Sequence, residues 1–245
     1  MSGNLALVTG TSRGLGYHIT QGLLENGWQV FGFARSSTTI TADNYVHIPI
    51  DLNDFSVVED YFEGEFKKIL EPYRASQIAL INNAGQVTPV AKLRDVNLRE
   101  LSDILQLNSA LPIWLMGFCA RTWPQLPLSV VNISSGAARK PYAGWAGYCS
   151  SKAALRAAGQ VLLKDEEGLR PVRCFSFEPG VMDTSMQELV RQSDPRIFKE
   201  KDRFLKMYQQ GELVNPQHAA QDVVSYLQSE FHDQEFFEKR FGDPA

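Results

Sequence analysis

The chain has 245 residues, of which 44% are hydrophobic and 21% are charged, and its formal net charge is −4. These values are typical of a globular protein, and the acidic balance excludes nucleic acid or an anionic membrane surface as an expected partner. No stretch reaches the roughly 18 consecutive apolar residues that a membrane-spanning helix needs.

The cysteines and histidines are few and scattered. Cys119, Cys149 and Cys174 form no CxxC pair, and neither they nor the four histidines have the spacing of metal ligands, so we expect no metal site. The odd number of cysteines favours reduced thiols. Because an apolar strand follows Met1 within a few residues, we expect no targeting segment and a cytoplasmic protein.

Short apolar runs alternate with helix-length segments along most of the chain. The runs that are typical of buried strands lie at residues 5–8, 30–33, 46–50, 78–81, 130–133 and 172–177. Helical periodicity covers residues 15–26, 55–70, 98–119 and 148–163, and another helix begins at Pro216. This alternation predicts an α/β fold, a Rossmann-type doubly wound parallel sheet in three layers, as a single domain over residues 1–245. The charged tail after Phe231 does not allow a seventh strand to be placed.

The segment from Met182 to Gly211 breaks this alternation. It is helix-permissive and lies between the sixth strand and the helix that begins at Pro216. Ligands of parallel α/β sheets bind beyond the carboxyl ends of the strands, so we predict that residues 182–211 form a substrate lid over that edge. The alternative is a pair of helices that only packs against the domain.

A glycine-rich turn separates the first strand from the first helix. It runs from Thr9 to Gly16 with the sequence TGTSRGLG. Glycines permit a sharp turn, and the N-terminus of the helix offers unpaired N–H groups to phosphates. In this position the segment predicts a dinucleotide-binding loop rather than a bare turn. The residues that we expect to bind the cofactor here are Gly10, Ser12, Arg13, Gly14, Leu15 and Gly16.

The end of the second strand indicates which dinucleotide is bound. NAD sites of this kind place a carboxylate there, about 20 residues further on, to bind the ribose 2′-hydroxyl. This sequence has Arg35, Ser36 and Ser37 instead, and Arg13 lies in the glycine loop. Two guanidinium groups and two hydroxyls suit a 2′-phosphate, so we predict NADP(H) as the cofactor. The alternative is that Arg35 is an ordinary surface charge.

Further motifs follow the glycine loop in order. They are NNAG at residues 82–85, Ser135, YCSSK at residues 148–152 and PG at residues 179–180. Together with TGTSRGLG they resemble the short-chain dehydrogenase/reductase family over residues 5 to about 185. The resemblance implies a nicotinamide cofactor and oxidation or reduction at a CH–OH or C=O group.

Tyr148 and Lys152 are four residues apart on a predicted helix and therefore share one face. The pKa of a free phenol is about 10, and a neighbouring ammonium stabilises the phenolate. We therefore expect Lys152 to lower the pKa of Tyr148, which acts as the proton donor. Ser135 follows the fifth strand, where its hydroxyl is placed to bind the substrate oxygen, with Ser134 as the competing candidate. The structural alternative is a surface tyrosine with a neighbouring lysine, and a serine at a turn.

The resemblance also assigns roles that the residues alone do not give. It implies that Asn108 is a fourth catalytic residue, in a water-linked proton relay to Lys152; the alternative is a polar residue that bends its helix. It further implies that Lys152 binds the nicotinamide ribose. The other cofactor-binding residues that it implies are Asp51 and Leu52 at the adenine, Asn83, Ala84 and Gly85 at the ribose, and Tyr148, Pro179, Gly180, Val181 and Thr184 around the nicotinamide.

The sequence PGVMDTSMQ at residues 179–187 resembles the branch of the family that contains sepiapterin and benzil reductases. That resemblance implies an NADPH-dependent carbonyl reductase that acts on a ketone or an α-dicarbonyl substrate. An NADP-dependent alcohol dehydrogenase and a non-catalytic NADPH-sensing protein are the alternatives. Besides Ser135 and Tyr148, the expected substrate-pocket residues are Tyr142, Trp145, Met182, Met186 and Phe198, which alternatively pack the lid itself.

Two of the predicted helices are apolar on more than one face. Their apolar residues include Leu101, Ile104, Leu105, Leu111, Ile113, Leu115, Ala153, Ala154, Leu155, Ala157, Ala158, Val161 and Leu162. A helix that is apolar all round is buried on both sides, and only one side faces the sheet. We therefore predict a homodimer or homotetramer, as in families that this chain resembles. The other expected partner is a small-molecule carbonyl substrate.

Overall fold

Seven parallel strands form the centre of the computed structural model, which describes residues 3–231 and 234–243. Their order across the sheet is β3-β2-β1-β4-β5-β6-β7, so the order reverses between β1 and β4. The doubly wound parallel sheet that the sequence predicts is confirmed. The strands are β1 Gly3–Thr9, β2 Gln29–Ala34, β3 Tyr45–Pro49, β4 Ala75–Asn82, β5 Leu128–Ile133, β6 Val172–Glu178 and β7 Glu235–Arg240.

Helices cover both faces of the sheet and produce three layers. They are α1 Gly14–Glu25, α2 Phe55–Tyr61, α3 Lys67–Leu70, α4 Leu98–Leu105, α5 Leu111–Thr122, α6 Ala146–Asp165, α7 Ser185–Gln192, α8 Lys201–Gln209 and α9 Pro216–Gln228. Side chains alternate along β1, so Leu5 and Leu7 pack toward α5 and α6 whereas Ala6 and Val8 pack toward α1 and α9. In residues 3–231 and 234–243, no helix is both long and apolar enough to span a membrane.

Two segments that the sequence predicts as continuous helices each contain a π-helical turn. The turns are Phe62–Phe66, between α2 and α3, and Gln106–Ala110, between α4 and α5. In the second segment, an uninterrupted α-helix would pair the Asn108 carbonyl with the N–H of residue 112, which is a proline and has no N–H. The wider turn interrupts the α-helical register just before that proline, at the position of a predicted catalytic residue.

The tail contains a strand that the sequence analysis did not place. β7 pairs in parallel with β6, and Phe236 lies opposite Cys174 in that ladder. Its charged residues form ion pairs with neighbouring helices: Glu238 accepts from Arg156 on α6, and Lys239 lies 3.4 Å from Asp222 on α9. These ion pairs allow a charged segment to form the edge of the sheet.

The predicted lid segment contains α7 and α8. Three of its residues, Val190, Phe198 and Phe204, are buried in a cluster with Trp145 and Tyr148. We call this group the lid cluster; its other buried members are Val87, Ile104 and Ala137, of which Val87 follows β4 and Ala137 follows β5. The segment therefore packs beyond the carboxyl ends of the strands, where the sequence predicts a lid.

Candidate active site

The glycine loop between β1 and α1 has a backbone that few other residues could adopt. Gly10 and Gly14 have φ values of 76° and 60°, in the left-handed region that favours glycine. A Cβ atom on Gly16 would overlap the carbonyl oxygen of Gly10. The loop is therefore a tight backbone cradle at the start of α1.

The NNAG motif holds this loop in place. The Thr9 hydroxyl oxygen accepts from the N–H groups of Asn83 and Ala84, both at 3.0 Å. The Asn83 amide donates to the carbonyl oxygens of Thr9 at 2.9 Å and Gly10 at 3.1 Å. Both protons of that amide are engaged by the loop, so the Asn83 side chain positions the phosphate-binding backbone.

The cradle suits a nicotinamide dinucleotide. Within the described ranges 3–231 and 234–243, no side chain caps the N-terminus of α1, and the first turn of α1 contains no acidic residue. Its N–H groups and the partial positive charge of the helix end are therefore free to receive a pyrophosphate. Thr184, at the start of α7, lies against the same loop, since its methyl carbon would be 3.8 Å from a Cβ on Gly14.

Arg35 directly follows β2 and lies beside Asp51, which is two residues after the end of β3. Its guanidinium is 3.9 Å from the Asp51 carboxylate, and the two side chains are 71% and 51% exposed. From sequence we expected Arg35 to have no carboxylate near it and Asp51 to contact an adenine. The parallel pairing of β2 with β3 brings the two residues together at one edge of the loop.

Tyr148 lies in the first turns of α6, buried among the lid cluster. The Ser135 side chain accepts from the Ala137 N–H at 3.2 Å and lies beside the Tyr148 hydroxyl, where it opposes the rise of the Tyr148 pKa. Ser134 directly follows β5, and its backbone N–H donates to the carbonyl of Phe177 on β6 at 2.7 Å. Of the two candidate serines, Ser135 is the one beside the phenol.

Lys152 is buried one helical turn after Tyr148. Its ammonium donates to the Ile133 carbonyl at 2.7 Å and lies 5.8 Å from the centre of the Tyr148 ring. Burial lowers the pKa of Lys152 to about 8. Burial also raises the pKa of Tyr148 to about 12, against the opposing hydrogen bond from Ser135. This differs from the expected lowering, because removing the phenolate from water outweighs the nearby polar groups.

Asn108 lies in the π-helical turn and is 1% exposed. Its Oδ1 accepts from the Gln86 N–H at 2.9 Å, while its Nδ2 donates to the Gln86 carbonyl at 2.8 Å and to the Ser151 hydroxyl at 3.2 Å. A Cβ on Gly85 would lie 3.1 Å from the Asn108 Oδ1 and 3.9 Å from the Lys152 ammonium. Asn108 therefore links the NNAG segment to the helix that carries Tyr148 and Lys152.

The PG turn follows β6. Pro179 is buried, and Gly180 has a φ of 78°. The carbonyl of Val181 accepts from the Val214 N–H at 2.9 Å, which fixes the turn against the segment before α9. Met182 pairs with the same residue and packs with the α1 and α9 side of the core.

The expected substrate-pocket residues divide into two groups. Trp145 is 5% exposed and stacks on Phe198, which is fully buried, with ring centres 4.4 Å apart. These two rings pack the lid segment against the domain. Tyr142 and Met186 are half-buried at the edge of the lid cluster and can contact a ligand.

Glu178 is a buried carboxylate of this region to which the sequence motifs assign no role. It ends β6 and accepts a hydrogen bond from Arg139, which lies four residues after Ser135. Arg139 is also 3.7 Å from Glu238 on β7. A carboxylate at the end of an apolar strand was the signal for this ion pair, but its partner lies in the segment after β5, which no local pattern connects with the end of β6.

The fold and this site together define an α/β oxidoreductase with a dinucleotide cradle and a serine, tyrosine and lysine beyond the ends of the strands. The family model described as short chain dehydrogenase matches residues 4–195. The chain belongs to the short-chain dehydrogenase/reductase family. It is therefore an oxidoreductase that acts on CH–OH or C=O groups with a nicotinamide cofactor.

Individual relatives confirm the predicted branch. The chain is 37% identical to a benzil reductase ((S)-benzoin forming) of Bacillus subtilis over 227 residues, which cover 91% of this chain and 93% of the relative. It is 32% identical to the sepiapterin reductase of Rattus norvegicus, with 91% of each chain covered. A short-chain dehydrogenase/reductase structure from Saccharomyces cerevisiae matches the fold with a TM-score of 0.80 at 23% identity, covering 98% of this chain and 97% of that one.

Proposed function

We propose that this protein is an NADPH-dependent carbonyl reductase that reduces a ketone or an α-dicarbonyl compound of the benzil or sepiapterin type to the alcohol. The observation that carries the proposal is the match to a benzil reductase along nine-tenths of both chains. The grouping of Ser135, Tyr148 and Lys152 beside the dinucleotide cradle supports it, because carbonyl reduction requires a proton donor next to the cofactor.

Charge at the end of β2 supports NADPH over NADH. Arg35 and Ser36 occupy the position where a carboxylate would favour NAD, and Arg13 lies exposed in the glycine loop. Asp51 beside Arg35 weakens the positive potential but leaves the guanidinium free to form further hydrogen bonds, since Arg35 is 71% exposed. A 2′-phosphate bound here would have two guanidinium groups as ligands.

Each residue of the site has a distinct task in the proposed reaction. When bound, the reduced nicotinamide supplies a hydride to the carbonyl carbon. Ser135 orients the carbonyl oxygen and stabilises its developing negative charge through a hydrogen bond. Tyr148 donates its phenolic proton to that oxygen, which completes the alcohol. The high pKa of Tyr148 keeps the phenol protonated at neutral pH, in the form that a proton donor needs.

Lys152 and Asn108 support that proton transfer. The Lys152 ammonium stabilises the phenolate left after the transfer and, since burial lowers its pKa to about 8, can readily supply a proton in turn. Asn108 fixes the Gln86 backbone and the Ser151 hydroxyl around it. We propose that a water-linked relay passes beside Asn108 to Lys152 and restores the proton on Tyr148.

A substrate panel tests this function directly. NADPH consumption is measured with benzil, simple aliphatic diketones, sepiapterin and monofunctional ketones at equal concentration. Preferential turnover of the first three supports the proposal. Reduction confined to monofunctional ketones contradicts the α-dicarbonyl assignment, and turnover that requires an alcohol with NADP⁺ favours the dehydrogenase alternative. NADPH binding without turnover of any compound favours the NADPH-sensing alternative.

A further inference from the structure

A cavity of about 480 Å³ lies beyond the carboxyl ends of β5, β6 and β7. It contains Gly136 and Tyr142 in its wall, and we call it the basic pocket because four cationic residues line it: Arg139, Lys140, Arg203 and Arg240. Two carboxylates, Glu178 and Asp243, also line it. The wall therefore carries more positive than negative side chains.

The basic pocket adjoins the predicted reaction centre. Gly136 directly follows Ser135, which lies beside Tyr148. A Cβ on Gly136 would lie 3.8 Å from a Glu178 carboxylate oxygen and 3.9 Å from the Tyr142 hydroxyl. The basic pocket is therefore next to the place where a carbonyl compound bound at Ser135 would lie.

The cations of the pocket differ in how far they are already neutralised. Arg139 is paired with the buried Glu178, and Arg203 lies 3.8 Å from Glu200. Among residues 3–231 and 234–243, Lys140 and Arg240 have no carboxylate within 4.0 Å. The Lys140 ammonium lies over the Tyr142 ring, 5.3 Å from its centre, and so points along the wall of the cavity.

These charges are separate from those expected to bind the cofactor. Arg35 lies at the end of β2, whereas Arg240 ends β7 at the opposite edge of the sheet. A 2′-phosphate at Arg35 therefore cannot be the group that Lys140 and Arg240 attract. Of the ligands in the proposed reaction, the substrate at Ser135 is the one next to the basic pocket.

We infer that the preferred substrate is a carbonyl compound with a carboxylate remote from the reacting carbonyl, bound by Lys140 and Arg240 in the basic pocket. This inference rests on the proposed carbonyl reductase function and narrows its substrate class. A carboxylate in this open, solvent-facing cavity gains attraction to two cations while a neutral group gains none. Asp243 and Glu178, which also line the cavity, reduce this attraction.

The test compares two nearly isosteric substrates, benzil with a carboxylate at the para position of one ring and the methyl ester of that acid. We expect the wild type to have the higher kcat/KM for the acid and to lose this preference as the salt concentration rises. The double variant Lys140→Gln/Arg240→Gln should lower the acid-to-ester ratio of kcat/KM by about tenfold, from roughly three- to fivefold for each exposed charge. Arg99→Gln, an exposed arginine on α4, is the matched control and should leave the ratio unchanged.

The outcomes separate this inference from the proposed function. If the ester is reduced as well as the acid and the double variant leaves their ratio unchanged, the inference is wrong and the carbonyl reductase function stands. If neither compound is reduced and the substrate panel above also gives no turnover, the proposed function fails, and calorimetric titration of the NADP⁺-bound protein with the acid still tests the pocket. Binding of the acid that is weakened by the double variant supports the pocket, and equal binding of acid and ester overturns it.

Discussion

Ser135 and Ser134 follow the same strand, yet their surroundings differ. Ser135 is beside the Tyr148 hydroxyl, whereas the backbone of Ser134 is bound to Phe177 on β6. We expect Ser135→Ala to reduce kcat by about 100-fold or more, because it removes a hydrogen bond to the oxygen on which charge develops. Ser134→Ala is the matched control, and steady-state rates with benzil and NADPH measure both. A larger loss in Ser134→Ala than in Ser135→Ala would show that the other serine contacts the substrate.

The burial of Lys152 predicts that the free energy of unfolding depends on pH. Burial lowers its pKa from 10.5 to about 8, so between these values the unfolded chain binds a proton that the folded chain does not. The free energy of unfolding therefore rises with pH across this interval. Lys152→Met removes the titrating group but leaves Tyr148 in place. Denaturant titrations measure the free energy of unfolding of the wild type and of the variant. We expect the difference, wild type minus variant, to increase between about pH 8 and pH 10. A constant difference would mean that Lys152 is not desolvated.

Local motifs allowed several site residues to be identified from sequence, because their spacing fixes their geometry. Tyr148 and Lys152 share a helix face, and the glycines of the loop lie where the structure requires positive φ. The rise of the Tyr148 pKa and the ion pair of Glu178 with Arg139 depend on burial and on a distant strand. Neither is visible in a local pattern.

The position of Arg35 at the end of β2 predicts a preference for NADPH over NADH. Replacing it with aspartate removes one phosphate contact and places a second carboxylate beside Asp51. A charge-assisted contact is worth about 1.5–3 kcal/mol, and for a side chain as exposed as Arg35 we expect the lower end. Arg35→Asp should therefore weaken NADPH binding by about tenfold or more and shift the preference toward NADH.

Equilibrium titration of both cofactors measures this shift. Arg99→Asp carries the same change in net charge on α4, away from the glycine loop, and should leave the NADPH-to-NADH affinity ratio unchanged. Equal binding of the two cofactors by the wild type, or an unmoved ratio in Arg35→Asp, would show that Arg35 is an ordinary surface charge.

The sequence predicts elements well where a single periodicity dominates. Six of the seven strands and the parallel topology follow from apolar runs that alternate with helices. β7 was not placed, because its charged residues are stabilised by ion pairs with α6 and α9 rather than by an apolar pattern. The π-helical turns keep the apolar periodicity of their neighbours, so the pattern alone does not separate them from continuous α-helix.

At the scale of the whole molecule, an apolar surface on α5 and α6 supports self-association. Ile113 is 42% exposed and Val161 is 55% exposed, and the alanines at 153, 154 and 157 are exposed nearby on α6. We expect a homodimer or homotetramer that buries this surface. Light scattering at micromolar concentration should give at least twice the 27.5 kDa chain mass, and Val161→Glu should lower it. A 27.5 kDa species in the wild type would contradict the prediction.

The central claim, that the protein transfers a hydride from NADPH to a carbonyl group with Tyr148 as proton donor, is tested most directly by reaction stoichiometry. Benzoin formed and NADPH oxidised are measured in the same reaction with benzil, for the wild type and for Tyr148→Phe. The wild type should form one benzoin for each NADPH oxidised. Tyr148→Phe should form almost none while it binds NADPH with nearly unchanged affinity, because it lacks only the hydroxyl. Benzoin formation by Tyr148→Phe at more than a few per cent of the wild-type rate, or NADPH oxidation by the wild type without benzoin, would contradict the claim.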